Sequence, residues 1–149
     1  MDKQNLDTLI SELKRDEGVR DTPYKDTVGI WTIGIGHNMQ AKPLPKDWTF
    51  PLTIKQIDKI AEDDLDDVFY GLDRSLPWWR DLSPGRQRMM ANLAFNLGIA
   101  GLLAFKNTLI AIKERRWIDA AAGLRNSKWA GQVKSRCDRM CDLMLGVVK

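Results

Sequence analysis

Two carboxylic acids and one hydroxyl residue are spaced so that together they could break a bond with water. Glu17 ends a helical pattern, Asp26 lies nine residues further on at a predicted turn, and Thr32 follows after six more. A protonated carboxyl can give a proton to a leaving group, while an ionised carboxylate and a hydroxyl hold the attacking water. Taken singly, the three are more simply a solvated acid, a turn aspartate and an ordinary strand residue. The hydrolytic hypothesis therefore depends on the elements that position them.

A helix followed by a hairpin is predicted to bring these residues together. Leucine and isoleucine recur at helical spacing, which predicts a helix over residues 3–16 that Gly18 ends. Glu17 then lies at a helix end, where the helix dipole disfavours a negative charge. A β-branched and aromatic run from Ile30 onward, with a turn before it, predicts a hairpin over residues 24–36.

Within the predicted hairpin, Asp26 falls at the turn end of the first strand. Thr32 lies on the second strand, where it can face back toward Asp26. Gly36 follows shortly after; because glycine weakens a strand, it indicates a bend or the close approach of another group.

The rest of the chain is predicted to be mainly helical. Prolines make residues 38–52 a loop with at most one short strand. A capping box at Thr53 opens a helix of about 22 residues over 54–76, which is roughly 33 Å long. Further helices are predicted over about 84–97, 106–114, 117–125 and 133–145, the first of them ended by Gly98.

These elements predict an α+β fold that is mainly α and forms a single domain over residues 1–149. We expect a small β-hairpin lobe over about 17–60 and a connecting helix over about 54–76. The helical lobe would comprise residues of about 1–14 and 77–149. A cleft between two such lobes is a common place for an enzyme site.

Composition is that of a globular protein, with 44% of the 149 residues hydrophobic and 29% charged. No run approaches the ~20 apolar residues of a membrane-spanning helix, and the acid-bearing N-terminus resembles neither a secretory signal nor a transit peptide. The net charge is +3, with acids crowded over 58–67 and basic residues dominant from Arg86 onward. The basic half favours a polyanionic partner, which charge alone leaves open among nucleic acid, anionic lipid and anionic cell-wall polymer.

Two cysteines and one histidine limit the redox and metal chemistry. Cys137 and Cys141 are four residues apart in a helical pattern, so they share one helix face, where a mutual disulfide is awkward. With a single histidine, a zinc site of the usual Cys/His type is not expected. We therefore predict two free thiols and no metal or cofactor.

Several short sequences around the candidate site resemble the phage-type lysozymes of glycoside hydrolase family 24. That family has eight residues between a glutamate and an aspartate or cysteine, and five more before a threonine. Glu17, Asp26 and Thr32 fit both gaps, within the sequences DEG, YKDT and TIGIGH. Further matches follow in the family's order over nearly the whole chain: Phe95-Asn96-Leu97-Gly98, Phe105, Asn107, Arg116-Trp117 and Ser127-Lys128-Trp129.

By this resemblance the fold is lysozyme-like and the substrate is peptidoglycan. The bond cut would be the β-1,4 link from N-acetylmuramic acid to N-acetylglucosamine. Glu17 would be the general acid, and Asp26 and Thr32 would position or activate the water. Inversion at the anomeric carbon is implied by the family and not by the sequence, which does not give the distance between the carboxylates.

The resemblance also assigns residues to substrate contact and support. The positions expected to contact saccharide are Phe95, Asn96, Asn107 and Gly36. His37 and Asp64 match a pair expected to form a structural salt bridge across the small lobe. Arg136 matches an arginine of the last helix that faces the catalytic glutamate in the family.

A phage enzyme of this kind would act as an endolysin at the end of infection. We expect a monomer that stays in the host cytoplasm until a holin admits it to the cell wall or periplasm. There it would lyse the host and release phage, with no nucleic-acid partner.

Two other functions remain open. Basic residues from Lys128 to Arg139 accompany an apolar stripe, and a helix of this kind can lie on anionic membranes, so the chain could be a binding or membrane-disturbing protein. The stripe comprises Val133, Cys137, Met140, Cys141 and Met144. Nucleic-acid binding is a weaker hypothesis, because no helix-turn-helix or RNA-binding signature stands out and the acidic helix opposes it.

Overall fold

The computed structural model describes residues 1–149, and its first helix ends where the sequence indicates. Helix α1 (Lys3–Glu17) buries a leucine and isoleucine face. Gly18 then adopts a φ of +76°, and its amide donates to the carbonyl of Lys14 at 3.0 Å. A glycine in the left-handed region commonly closes a helix, because residues with a Cβ avoid that conformation. Glu17 is therefore held as the last helical residue.

The predicted hairpin is present as part of a three-stranded antiparallel sheet. Its strands are β1 (Arg20–Lys25), β2 (Trp31–Gly34) and β3 (His37–Asn38), in the order β1-β2-β3. Tyr24 lies opposite Thr32, and the register is irregular between Arg20 and Tyr24, in the earlier part of β1. The third strand has only two residues, consistent with a loop that carries at most one short strand.

A proline-rich loop leads from β3 to the long helix α2 (Ile54–Ser75). The predicted capping box is present. The amide of Gln56 donates to Thr53 Oγ1 at 3.1 Å, and the amide of Thr53 donates to Gln56 Oε1 at 2.9 Å. These two bonds stabilise the start of α2, where the first turn leaves amides without helical partners. The helix has 22 residues, as its apolar periodicity indicates.

Five further helices follow: α3 (Pro84–Leu103), α4 (Lys106–Lys113), α5 (Trp117–Arg125), α6 (Lys128–Gln132) and α7 (Lys134–Leu145). The predicted end at Gly98 is a kink with φ 73° and ψ 163°, after which α3 continues. Neither α6 nor a 3₁₀ helix over Pro77–Asp81 follows from the sequence, because elements this short show no apolar period.

The chain folds into two compact units, which we call the hairpin unit (residues 7–67) and the helical unit (residues 1–6 and 68–149). The hairpin unit has an aliphatic core that includes Leu9, Leu13, Ile33, Ile35 and Leu65. The helical unit buries larger side chains, among them Trp79, Met89, Met90, Met140 and Met144. No single helix is long and apolar enough to cross a membrane; only α3 and α4 together, bent by 110°, reach that length and composition.

Helix α7 buries the apolar stripe on which the membrane hypothesis depends. Cys137, Met140, Cys141 and Met144 are each at most 1% exposed. A helix that lies on a membrane needs its apolar face on the outside. These four residues of the stripe are therefore part of the protein core, whereas Val133 is half-buried and precedes α7; membrane contact by the basic residues of this segment stays a prediction.

Candidate active site

Glu17 lies beside a glycine of the segment that follows β2. Gly36 has a φ of +67°, and a β-carbon built on it would lie 3.3 Å from Glu17 Oε2. Glycine adopts this conformation without strain and leaves room for the carboxylate. Gly36, expected among the saccharide contacts, thus lies against the candidate acid, which is the close approach that a glycine indicates.

The turn between β1 and β2 holds Asp26. Its Oδ1 accepts the amide of Val28 at 3.0 Å and the amide of Ile30 at 2.9 Å. Aspartate commonly stabilises a turn by accepting backbone amides in this way. These bonds use one oxygen of the carboxylate, so Oδ2 can still accept a hydrogen bond from another donor. The turn therefore orients the carboxylate and leaves it able to act.

Thr32 is connected to the same turn through Ile30. The hydroxyl of Thr32 donates to the carbonyl of Ile30 at 2.9 Å, and this carbonyl also accepts the amide of Asp26 at 2.9 Å. We call these two bonds, together with that from the Ile30 amide to Asp26 Oδ1, the Ile30 clamp. Because the Thr32 hydrogen is given to a carbonyl, its oxygen meets any further partner as an acceptor.

The Ile30 clamp suits a water molecule that attacks a carbon. A water that donates one hydrogen to Asp26 Oδ2 and the other to Thr32 Oγ1 keeps a lone pair for the attack. Glu17 adds a carboxyl that can protonate a leaving group. The hairpin unit therefore carries all three groups that acid–base hydrolysis needs.

His37 connects β3 to α2 and to the proline-rich loop. Its Nδ1 lies 2.7 Å from Asp64 Oδ2, and its Nε2 lies 2.8 Å from the carbonyl oxygen of Lys42. The residue is 5% exposed, so both contacts are sheltered from water. The expected salt bridge between His37 and Asp64 is present within the hairpin unit.

Both partners of the His37 ring are acceptors, which favours the doubly protonated imidazolium. Burial alone would lower the pKa of His37, because it disfavours the charged ring. The hydrogen bonds to the Asp64 carboxylate and the Lys42 carbonyl outweigh burial and raise the pKa above its ordinary value of 6.5. The ring therefore stays charged to higher pH in the folded protein than in the unfolded chain.

Two candidates of the helical unit have partners within that unit. Asn96 Oδ1 accepts the indole N–H of Trp129 at 2.7 Å. Arg136 is 5% exposed and donates from Nε to Asn92 Oδ1 at 2.9 Å. These bonds hold both side chains in defined orientations. Their expected roles toward saccharide and toward the catalytic glutamate stay predictions.

Phe95 and Asn107 occupy more open positions of the helical unit. Phe95 is half-buried on α3, and Asn107 is exposed on α4. Asn107 borders a surface cavity of about 310 Å³ that Arg116 and Asp119 also line. Arg116 and Asp119 form a salt bridge at 2.8 Å, so the rim of this cavity is charged. Saccharide contact by Phe95 and Asn107 stays a prediction.

Two features of the hairpin unit were not predicted. Ile30 acts through its peptide groups, so its side-chain type gives no signal, although an aspartate followed by Thr-Val-Gly does indicate a stabilised turn. The proline-rich loop borders a cavity of about 310 Å³ against α2, lined by Trp48 and Ile60 among others. No group of three or more His, Cys, Asp or Glu residues is arranged to hold a metal ion.

Comparison with known proteins gives these groups a family context. A family model described as phage lysozyme matches residues 14–138, which contain Glu17, Asp26 and Thr32. Probable T4-type lysozyme 2 of Dictyostelium discoideum is 31% identical to this chain, and the match covers 91% of the chain and 92% of that protein.

Two phage proteins are similar to this chain over one part of their length. The pre-baseplate central spike protein Gp5 of Enterobacteria phage T4 is 28% identical over 97% of the chain and 28% of its own length. Peptidoglycan hydrolase gp36 of Pseudomonas phage phiKMV is 30% identical over 91% of the chain and 15% of its own length. With a family model matched over most of its residues and a lysozyme matched almost end to end, the chain belongs to the phage lysozyme family of glycoside hydrolases.

Proposed function

We propose that this phage lysozyme hydrolyses peptidoglycan at the β-1,4 bond from N-acetylmuramic acid to N-acetylglucosamine. Family membership and the similarity to a protein named peptidoglycan hydrolase support the substrate. The Ile30 clamp carries the assignment of residues, because it orients the Asp26 carboxylate and the Thr32 hydroxyl from one residue's peptide groups.

In this proposal Glu17 is the general acid. Its carboxyl protonates the glycosidic oxygen while the bond to the sugar carbon breaks. Helix α1 and Gly18 hold its main chain, and Gly36 leaves space for the carboxylate beside the backbone. A general acid needs this control, because proton transfer requires a short and well-aligned hydrogen bond.

Asp26 and Thr32 hold the attacking water in this proposal. Asp26 acts as the base that takes a proton from the water, and Thr32 accepts its other hydrogen. Because water attacks the anomeric carbon from the face opposite the leaving group, the configuration at that carbon is inverted. Neither residue forms a covalent bond to the sugar.

The test measures new reducing ends released from purified peptidoglycan sacculi by the parent, Glu17→Gln and Asp26→Asn. We expect Glu17→Gln to reduce the rate by roughly 10²- to 10⁴-fold, since a general acid contributes about that factor. Asp26→Asn should also lose most activity, and the new ends of the parent should belong to N-acetylmuramic acid. Thermal unfolding of each variant shows whether it folds.

Three outcomes would contradict the proposal. Products that end in a 1,6-anhydro sugar would identify a lytic transglycosylase, in which no water attacks. Activity of Glu17→Gln at the parental level would show that Glu17 is not the general acid. Lysis of permeabilised cells by Glu17→Gln at the parental level would favour the membrane-disturbing hypothesis.

Membership of the phage lysozyme family also leads us to propose a biological setting. We place the enzyme at the end of a phage infection, as a monomeric endolysin that lyses the host. It would collect in the host cytoplasm and reach the wall or periplasm through a holin. Expression in a bacterial host with and without a holin tests this, since lysis should require the holin.

A further inference from the structure

The hairpin carries two pairs of a cation over an aromatic ring. The guanidinium carbon of Arg20 lies 4.6 Å from the ring centre of Tyr24, and the ammonium of Lys25 lies 5.3 Å from the ring of Trp31. Tyr24 and Lys25 are consecutive residues of β1, so their side chains point to opposite faces of the sheet. The same kind of pair is thus present once on each face.

The pair of Arg20 and Tyr24 shares a face with the candidate site. Tyr24 is directly opposite Thr32, and opposed residues of antiparallel strands have their Cβ atoms about 4.5–5.5 Å apart on one face. Lys25 is opposite Trp31, which places the second pair on the other face. Only the first pair therefore lies on the sheet face that carries Thr32.

The side chain of Arg20 reaches Tyr24, the residue that lies opposite Thr32. Arg20 is exposed and its guanidinium lies over the half-buried ring of Tyr24. Arg80 and Arg116 pair with carboxylates of the chain, whereas the contact of Arg20 is with a ring. A ring occupies the flat face of a guanidinium and leaves the N–H groups at its edge able to donate.

We propose that Arg20 binds a carboxylate of the peptide stem on N-acetylmuramic acid, and that Tyr24 is the positioning residue that holds the guanidinium. The inference rests on the proposed function, because it takes the sugar at the cleaved bond to be the one that carries the peptide. Peptide stems bear free carboxylates, and a guanidinium can bind a carboxylate through two parallel hydrogen bonds. Arg20 thereby favours glycan whose peptide stems carry free carboxylates over glycan whose peptide stems are neutral.

The test compares two forms of one substrate. Sacculi are used as isolated, or after their free carboxylates have been converted to amides by carbodiimide coupling with ammonia. We would measure kcat/KM for release of reducing ends by the parent, Arg20→Gln and Lys25→Gln. Lys25→Gln is the matched control, because it removes a cation from the equivalent pair on the opposite face.

Arg20→Gln should lower kcat/KM about 5-fold on untreated sacculi, the upper end of what an exposed ion pair contributes, and hardly at all on amidated sacculi. The 5-fold difference should shrink at high salt, which screens exposed charges. Lys25→Gln should match the parent on both substrates. Tyr24→Phe should keep kcat/KM on untreated sacculi near the parental value, because phenylalanine retains the ring. Tyr24→Leu, which lacks the ring, should show much of the loss seen in Arg20→Gln.

Binding provides a measurement that does not depend on turnover. Co-sedimentation with sacculi is measured for Glu17→Gln with and without Arg20→Gln. Adding Arg20→Gln should weaken binding to untreated sacculi and hardly change binding to amidated sacculi. Equal losses on untreated and amidated sacculi, or an equal loss in Lys25→Gln, would overturn the role of Arg20. A parent that releases no reducing ends would instead contradict the proposed function, so the two failures are distinguishable.

Discussion

Replacing Asp64 by Asn should destabilise the protein by an amount that depends on pH. In the folded chain both ring nitrogens of His37 face acceptors, at 2.7 and 2.8 Å. Hydrogen bonds to charged groups contribute about 1.5–3 kcal/mol. The Asp64 side chain is only 18% exposed, so we expect its bond to His37 to fall within this range. We therefore expect Asp64→Asn to lower the free energy of unfolding by about 2 kcal/mol near pH 5.

The sign of the pH dependence follows from the raised pKa of His37. A group with a higher pKa in the folded state stabilises the fold fully below its unfolded value of 6.5. It loses that contribution as the pH rises through the folded value. The cost of Asp64→Asn should therefore be lower near pH 9 than near pH 5, because an uncharged ring keeps its hydrogen bond to the carboxylate but forms no ion pair with it.

Urea unfolding at the two pH values measures these costs. The control is Asp63→Asn, which breaks an exposed pair between Lys59 and Asp63 on the same helix and should cost less than about 0.5 kcal/mol at either pH. His37 is the single histidine of the chain, so its ring protons titrate alone in an NMR spectrum. A His37 pKa at or below 6.5, or an equal cost of Asp64→Asn at both pH values, would refute this reasoning.

Three further predictions concern the candidate acid, a helix cap and the thiols. Gly36→Ala should reduce peptidoglycan hydrolysis about 10-fold or more, because its Cβ would lie 3.3 Å from Glu17 Oε2 at a φ of +67°, and parental kcat would count against this contact. Thr53→Ala should cost about 1 kcal/mol in urea unfolding with kcat unchanged, since it removes one bond of the capping box. Cys137 and Cys141 should not react with a disulfide reagent in the folded protein near neutral pH, because burial raises the pKa of Cys137 to about 12; fast native-state reaction would contradict this.

Local sequence signals predicted most of the fold. Gly18, Thr53 and Gly98 each mark a boundary or a kink because they act within a few residues of their own position. The short helix α6 and the 3₁₀ helix escaped prediction, since a single turn has no periodicity to detect. The burial of the stripe on α7 also could not be inferred, because an apolar helix face looks the same whether a protein core or a membrane covers it.

The candidate site was predicted less completely than the fold, because some of its contacts join residues that are far apart in the sequence. Asp26 and Thr32 are six residues apart, so a turn was enough to bring them together. His37 and Asp64 are 27 residues apart, and only the family resemblance indicated their contact. Ile30 was missed because it forms the hydrogen bonds of the Ile30 clamp through its peptide groups, which every residue type has.

The configuration of the first product formed tests the central claim most directly. NMR of a soluble peptidoglycan fragment during hydrolysis would show which anomer of the new N-acetylmuramic acid end appears before the two equilibrate. A water held by Asp26 and Thr32 predicts the α anomer, because a β-linked sugar is attacked once with inversion. An initial β anomer would mean that a covalent intermediate forms, and would contradict the account.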